Sequence, residues 1–460
     1  MNMRKEKDSL GEKEVPADAW YGIHTARSRE NFNVGGEPMP LEIVYGMVKL
    51  KGACARANRA LGLLDEEKAD AIARACERVL RGGFEDQFAV DVFQAGSGTS
   101  SNMNVNEVIA NVACDELGGQ PGDRHRVHPN DDVNKGQSTN NIMPSGIKVA
   151  CAELSNELMD AARRLAEQLR AKEKEFKEVI KSGRTHLQDA VPVTLGQEFG
   201  AWARALEKDV DRVREARERI LELGAGGNAV GTGVNTKREF RPLIMKALNE
   251  ITGESYRVAE NGIEVTQFMT DLGHLSATLK LMSLDLLKIA NDLRLLASGP
   301  NTGFAEMVLP AVEPGSSIMP GKINPSICEA ANMACLQVVG HDAAVTAAVG
   351  AGQLELNTHM PLIGLNLVKS LRILARCCRM LGDRCVAGIR ADEAVCLRYF
   401  ETSGGLPTIL NPILGYDKVA ELVKESLRTK KSLKELVFEK KIIDREQFEV
   451  LLKRSTGPME

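Results

Sequence analysis

One short stretch carries the densest chemistry in the chain: Gly315-Ser316-Ser317-Ile318-Met319-Pro320-Gly321-Lys322-Ile323-Asn324-Pro325. Its glycines and prolines cannot continue a helix, because glycine wastes backbone entropy and proline lacks an N–H and clashes with the preceding turn. It therefore reads as a loop set between long helical patterns. Small residues let a ligand approach closely, free N–H groups in such a turn form an anion nest, and Lys322 adds a positive charge beside the Asn324 amide. The chemistry on offer is the holding of a carboxylate or phosphate. Ser316 or Ser317 would donate to that anion or, deprotonated by surrounding donors, act as a base. On composition alone, the same residues would also serve a connector whose lysine faces water.

Three further polar breaks share this character. Residues 96–104 cluster small hydroxyl and amide side chains, with Ser97 and Thr99 leading into the apolar pattern Val108, Ile109, Val112 and Leu117. Hydroxyls and N–H groups at a helix start suit anions, although helix caps alone explain most such clusters. Gln137-Ser138-Thr139-Asn140-Asn141 opens the main helical region, and residues 183–190 place Thr185 and His186 at an expected helix break. A histidine in such a segment is either a satisfied structural residue or a catalytic one.

Rigid elements must position these breaks. Helical patterns run over 41–61 and over 65–81, where Asp65 is the expected N-cap. Leu154, Leu158, Ala162, Leu165, Leu169 and Phe176 keep three- and four-residue spacing until Gly183, and Phe199 to Leu223 repeats the pattern until Gly224. Such runs, approaching forty residues, would be rods of about 60 Å, which stabilise one another only side by side. A third run, Ile263 to Leu296, is apolar on most faces and reads as a core helix that also packs against other subunits. Two more runs cover 326–349 and 361–389. The residues before 41 read as loops, and the turn-rich basic segment 118–136 reads as a boundary. The expected division is therefore 1–136, mixed but mostly helical; 137–393, a long-helix bundle; and 394–460, a small helical cap.

Composition narrows the function classes. The chain has 460 residues, with 43% hydrophobic, only 4% aromatic and a formal net charge of −4, so no global field draws it to nucleic acid or an anionic membrane. Any anion binding must be local. No apolar stretch approaches the length of a membrane span, and the polar N-terminus is unlike a secretory signal. The ten cysteines lack metal-type spacing and read as reduced core thiols, which points to the cytoplasm.

Taken together, GSSIMPGKINP, the three other polar segments and the opening EKDSLGEKEVPADAWYG resemble the signature regions of the fumarase/aspartase superfamily, over nearly the whole chain. That resemblance implies a mainly α, three-domain fold with a long central bundle. Members are homotetramers with a twenty-helix core and need no cofactor or metal. Each active site draws its segments from three subunits. The reaction is a reversible anti elimination from a small dicarboxylate through an aci-carboxylate. Ser316 is then the base, its oxyanion held by loop N–H groups, and Lys322 with Asn324 stabilises the developing charge, one such donor being worth about 2.7–4 kcal/mol. Ser97, Thr99, Ser138, Thr139, Asn140 and Thr185 bind substrate. His186, polarised by Glu329, binds a carboxylate or assists the leaving group. His128, Asn130 and Asp131 match a second carboxylate site of fumarases, where packing is an equal role.

Within the superfamily, Gly96-Ser97-Gly98-Thr99, His128-Pro129-Asn130-Asp131-Asp132 and Cys328-Glu329-Ala330 resemble class II fumarases. Tyr21-Gly22-Ile23-His24-Thr25 and Gly352-Gln353-Leu354-Glu355-Leu356-Asn357 resemble aspartases. The expectation is therefore a fumarate hydratase interconverting (S)-malate and fumarate, with aspartate ammonia-lyase as the alternative and a silent helical scaffold as a further one. Asn141, Asn301 and His341 depart from the superfamily's usual aspartate, arginine and asparagine.

Overall fold

The structure, a computed structural model, describes residues 2–456 and is mainly helical, as expected. It opens instead on a hairpin, β1 (Met3–Asp8) against β2 (Gly11–Pro16), where the sequence suggested loops. Eight of the twelve strand residues are charged, so the usual alternation of apolar and polar side chains is hidden. The inward positions are Val15 and Glu6, and Glu6 is held by Arg4 at 2.9 Å and the Ile23 N–H at 3.0 Å. Next come α1 (Ile23–Asn31), α2 (Leu41–Ala60), α3 (Glu66–Leu80), α4 (Thr99–Glu116) and α5 (Thr139–Glu175). Helices α2 and α3 lie within a residue of the expected limits, and Asp65 caps α3 by accepting the Lys68 N–H at 3.3 Å.

Beyond α5 the sequence reading needs correction. The run expected to reach Gly183 stops at Glu175, and β3 (Ile180–Thr185) pairs with β4 (Gln188–Thr194) in a second hairpin. Val191, Val193 and Thr194 are stiff β-branched residues suited to a strand, and Pro192 disfavours a helix interior. Then follow α6 (Leu195–Ile220), α7 (Phe240–Thr252), the short α8 (Glu264–Gln267) and α9 (Thr270–Leu296). The run expected from Ile263 is thus two helices, separated where Phe268 turns extended, at φ −103° and ψ 124°. Helix α10 (Ser326–Val349) has the expected limits, and α11 (Met360–Arg384) ends five residues early. The chain closes with α12 (Glu393–Thr402), α13 (Leu406–Leu414), α14 (Tyr416–Thr429), α15 (Leu433–Glu439) and α16 (Arg445–Thr456).

The chain forms two compact units. The first takes the residues up to Met159, Asp211–Leu281 and Gln337–Leu374; the second takes Asp160–Val210, Met282–Leu336 and the chain from Ala375. In the first, α2 packs against α3, α4 and α7, and its Ile43, Met47, Leu50 and Cys54 are all fully buried. Burying a side chain of this size contributes about 1.5–3 kcal/mol. Glu107 of α4 serves the start of α1, accepting N–H groups from Gly22, His24 and Thr25 at 2.8–3.0 Å. In the second unit the β3–β4 hairpin is tied down by a buried ionic group. Lys181 meets Glu306 at 2.6 Å and Glu198 at 2.9 Å, while Arg184 reaches Glu306 at 2.8 Å and lies 4.3 Å over the Phe304 ring. Phe400, Leu410, Val437 and Phe448 anchor the apolar cluster beneath the last five helices.

All ten cysteines are free and buried. Burial pushes the Cys54, Cys76 and Cys396 thiols up to about 12, which leaves them protonated and inert. Among the described residues, no helix is long and apolar enough to cross a membrane.

Candidate active site

The Gly315–Pro325 stretch is a loop in the second unit. Its two ends meet where the Gly315 N–H donates to the Lys322 carbonyl at 3.0 Å. A Cβ on Gly315 would stand 2.3 Å from that carbonyl oxygen, so only glycine permits the closure. The Asn324 amide donates to the Gly315 carbonyl and braces the same junction. Inside the turn, the N–H groups of Met319 and Ile318 point at the Ser316 Oγ, at 3.0 and 3.2 Å. Two donors aimed at a hydroxyl oxygen favour its deprotonated form, which is the electrostatic requirement for a serine base. Ser317 and Lys322 are exposed, so the ammonium is free to meet an incoming anion.

The first unit holds a separate polar cluster, made where two helices begin. Gly98, at φ +83°, caps the start of α4, and an added Cβ there would stand 2.1 Å from the Met143 side chain. That sets Thr99 in the first turn, with its Oγ1 2.9 Å from the Ser97 Oγ. Ser138 precedes α5 and accepts the Asn140 N–H at 3.3 Å, while the buried Asn102 of α4 donates to the Thr139 Oγ1 at 2.9 Å. Because Ser138 and Thr139 accept from their neighbours, their own hydroxyl hydrogens remain to be given to an anion. The two helix N-termini add their positive dipole ends. The Asn140 amide donates to the Ala229 carbonyl at 2.7 Å. Asn141 is buried and donates to the Thr266 Oγ1 at 2.8 Å, so a neutral amide occupies the position of the expected aspartate.

Thr185 and His186 lie at the tip of the β3–β4 hairpin, not at a helix break. Thr185 pairs with Gln188, leaving His186 and Leu187 as the turn, both at positive φ, +56° and +58°. Such a turn matches the twist of a two-stranded ribbon, and it normally recruits Asn or Gly. Both tip side chains are exposed, and a cleft of about 530 Å³ beside them is lined by Arg184, Leu187, Trp202, Lys288 and Phe304. Glu329 sits in the first turn of α10, and its ion-pair partner within the chain is Arg294 at 3.8 Å. The expected His186–Glu329 pairing is therefore not made inside one chain.

The His128 segment forms a tight turn of its own. His128 Nδ1 accepts the N–H groups of Asp131 and Asn130 at 3.1 and 3.2 Å, while Asn130 and Asp131 themselves are exposed. Arg124 is held by Glu6 and Arg126 by the Leu117 carbonyl. His341 is buried on α10, its Nδ1 3.1 Å from the Ser370 Oγ. Nothing in the structure explains Asn301.

Sequence reasoning missed the buried support behind Thr139, formed by Lys51, Asn102 and Asn134. Its signal was a lysine falling on the apolar face of α2, between Met47 and Cys54.

Two regions match known families: residues 11–340 match the family described as Lyase, and residues 406–455 match the fumarase C C-terminus. An aspartate ammonia-lyase from Helicobacter pylori is 44% identical over 453 residues, covering 98% of this chain and 97% of that protein. A class II fumarate hydratase from Staphylococcus saprophyticus is also 44% identical, over 454 residues and 98% of each chain. Among solved structures, a fumarate lyase:delta crystallin from Brucella melitensis superposes with a TM-score of 0.96 at 43% identity, over 99% of this chain and 100% of that one.

Proposed function

The chain belongs to the fumarase/aspartase superfamily of lyases, and from that membership we propose that it deaminates L-aspartate to fumarate and ammonia by a reversible anti elimination. The observation that carries the elimination chemistry is the pair of loop N–H groups aimed at the Ser316 Oγ. Ser316, as the serinate, takes the proton from the carbon next to one carboxylate. The electron pair left behind is held as an aci-carboxylate by Lys322 and Asn324, then forms the double bond as the C–N bond breaks. Thr99, Ser138, Thr139 and Asn140 hold the substrate carboxylates through hydroxyl and amide donors, and Thr185 with His186 completes the pocket. We place these three groups on three copies of the chain within a homotetramer, where Glu329 and His186 of different copies can meet.

Ammonia is favoured over water because the aspartase-like segments Tyr21–Thr25 and Gly352–Asn357 are joined by 44% identity to an aspartate ammonia-lyase over 98% of this chain. His128 spends its acceptor nitrogen on its own turn, which fits the packing role. A second reading, hydration of fumarate to (S)-malate, is supported by the neutral Ser97–Thr99 hydroxyl pair, which would receive a departing hydroxyl. Incubating the protein with L-aspartate or (S)-malate, and following the ultraviolet absorbance of fumarate, decides between them. Fumarate from aspartate alone supports the first reading, and fumarate from malate alone replaces it with the second. Inertness toward both would remove the enzymatic reading.

A further inference from the structure

Lys51 is fully buried in the middle of α2, and its Nζ donates to the Asn134 Oδ1 at 2.7 Å. The same oxygen also faces the Asn102 Nδ2 at 3.4 Å, and the Asn134 amide nitrogen donates to the Gln137 carbonyl at 3.2 Å. Asn102 in turn donates to the Thr139 Oγ1 at 2.9 Å. Two turns further along α2, Asn58 donates to the Lys135 carbonyl at 3.0 Å. One helix therefore grips the whole approach to the start of α5. From this geometry we propose that Lys51 is a positioning residue for dicarboxylate binding: through Asn134 and Asn102 it orients Thr139, and its charge backs the anion. The inference rests on Thr139 being part of the substrate site.

The choice of residue is the argument. An ammonium buried against a single neutral amide is expensive in free energy, and a purely structural support would use an apolar or neutral side chain. Among the described residues no carboxylate offsets the charge: the titratable groups facing it are the Cys54 thiol on its own helix and the Cys76 thiol on α3, both neutral at ordinary pH. Lys68, which supports the turn before α5, is already paired with Asp132 at 2.8 Å. The field of Lys51 thus remains for the bound dianion. Burial also pulls its pKa down to about 7, so the positive form is lost as pH rises through neutrality.

The test is calorimetric binding of succinate to the assembled protein, from about pH 6.5 to about pH 9, where the probe is predominantly a dianion and no turnover is needed. Wild type is expected to bind more weakly as pH climbs past neutrality. Lys51→Met should weaken binding about tenfold at the acid end of the range and reduce that pH dependence. Asn134→Ala, which supplies the same readout should Lys51→Met not fold, should raise Kd comparably, and the double variant should be no worse than either single one. An unchanged Kd and pH profile in folded Lys51→Met, or additive effects in the double variant, would overturn the proposal. Thr139→Val separates the two layers: if it leaves succinate affinity untouched, the site assignment fails; if it weakens binding while Lys51→Met does not, only the role of Lys51 fails.

Discussion

At the residue scale, the decisive arrangement is a hydroxyl oxygen receiving two backbone N–H groups inside a loop that glycine alone can close. Ser316→Ala removes the oxygen those donors serve and leaves the loop backbone intact. Turnover should fall by about 10²–10⁴-fold, the usual contribution of a positioned base, with thermal unfolding unchanged; a near-normal rate would remove Ser316 as the base. His341 gives a pH prediction. Burial, helped by the neighbouring Lys369 charge, holds its imidazole below the ordinary histidine range. The folded protein thus resists a proton that the unfolded chain accepts. The stability this contributes is present above the ordinary histidine pKa of about 6.5 and is lost as pH falls below it toward the lower native value. His341→Asn should flatten that acid loss in unfolding midpoints measured from about pH 7 to about pH 5.

Elements decide how accurately these residues are held. The start of α4 requires Gly98 to adopt φ +83° against Met143, so Gly98→Ala should destabilise by about 1–3 kcal/mol. The same variant should weaken substrate binding through the adjacent Thr99, which denaturant titration and KM together would reveal. The β3–β4 tip shows the opposite balance. Leu187 bears positive φ with an exposed side chain, a strain of roughly 1–2 kcal/mol that glycine would relieve. Leu187→Gly should therefore raise the melting temperature. A fall would mean that the leucine is covered in the assembly. Helix limits were legible where apolar spacing was strong, as in α2, α3 and α10. The hairpins were not, since β1–β2 is mostly charge and the β3–β4 turn lacks an Asn-Gly pair.

At the scale of the whole molecule, α9 and α10 carry apolar side chains that a single chain leaves uncovered, including Leu284, Met333 and Leu336. Met333 is 67% exposed although its helix is mostly apolar, an arrangement suited to burial by other copies. Met333→Glu should dissociate the proposed tetramer in sedimentation experiments and abolish activity with it, because no one copy would then hold a complete site. Activity persisting in a dissociated form would require a site within one chain.

The signature loop, the polar helix starts and most long helices could be read directly, because glycine, proline and apolar periodicity act over a few residues at a time. They determined the superfamily and the residues to examine. Tertiary structure alone decided that Ser316 faces two N–H groups, that His186 rides on a hairpin, that His128 caps its own turn and that Lys51 stands buried behind Thr139. Those outcomes depend on which distant groups share one desolvated space, and no local spacing encodes that.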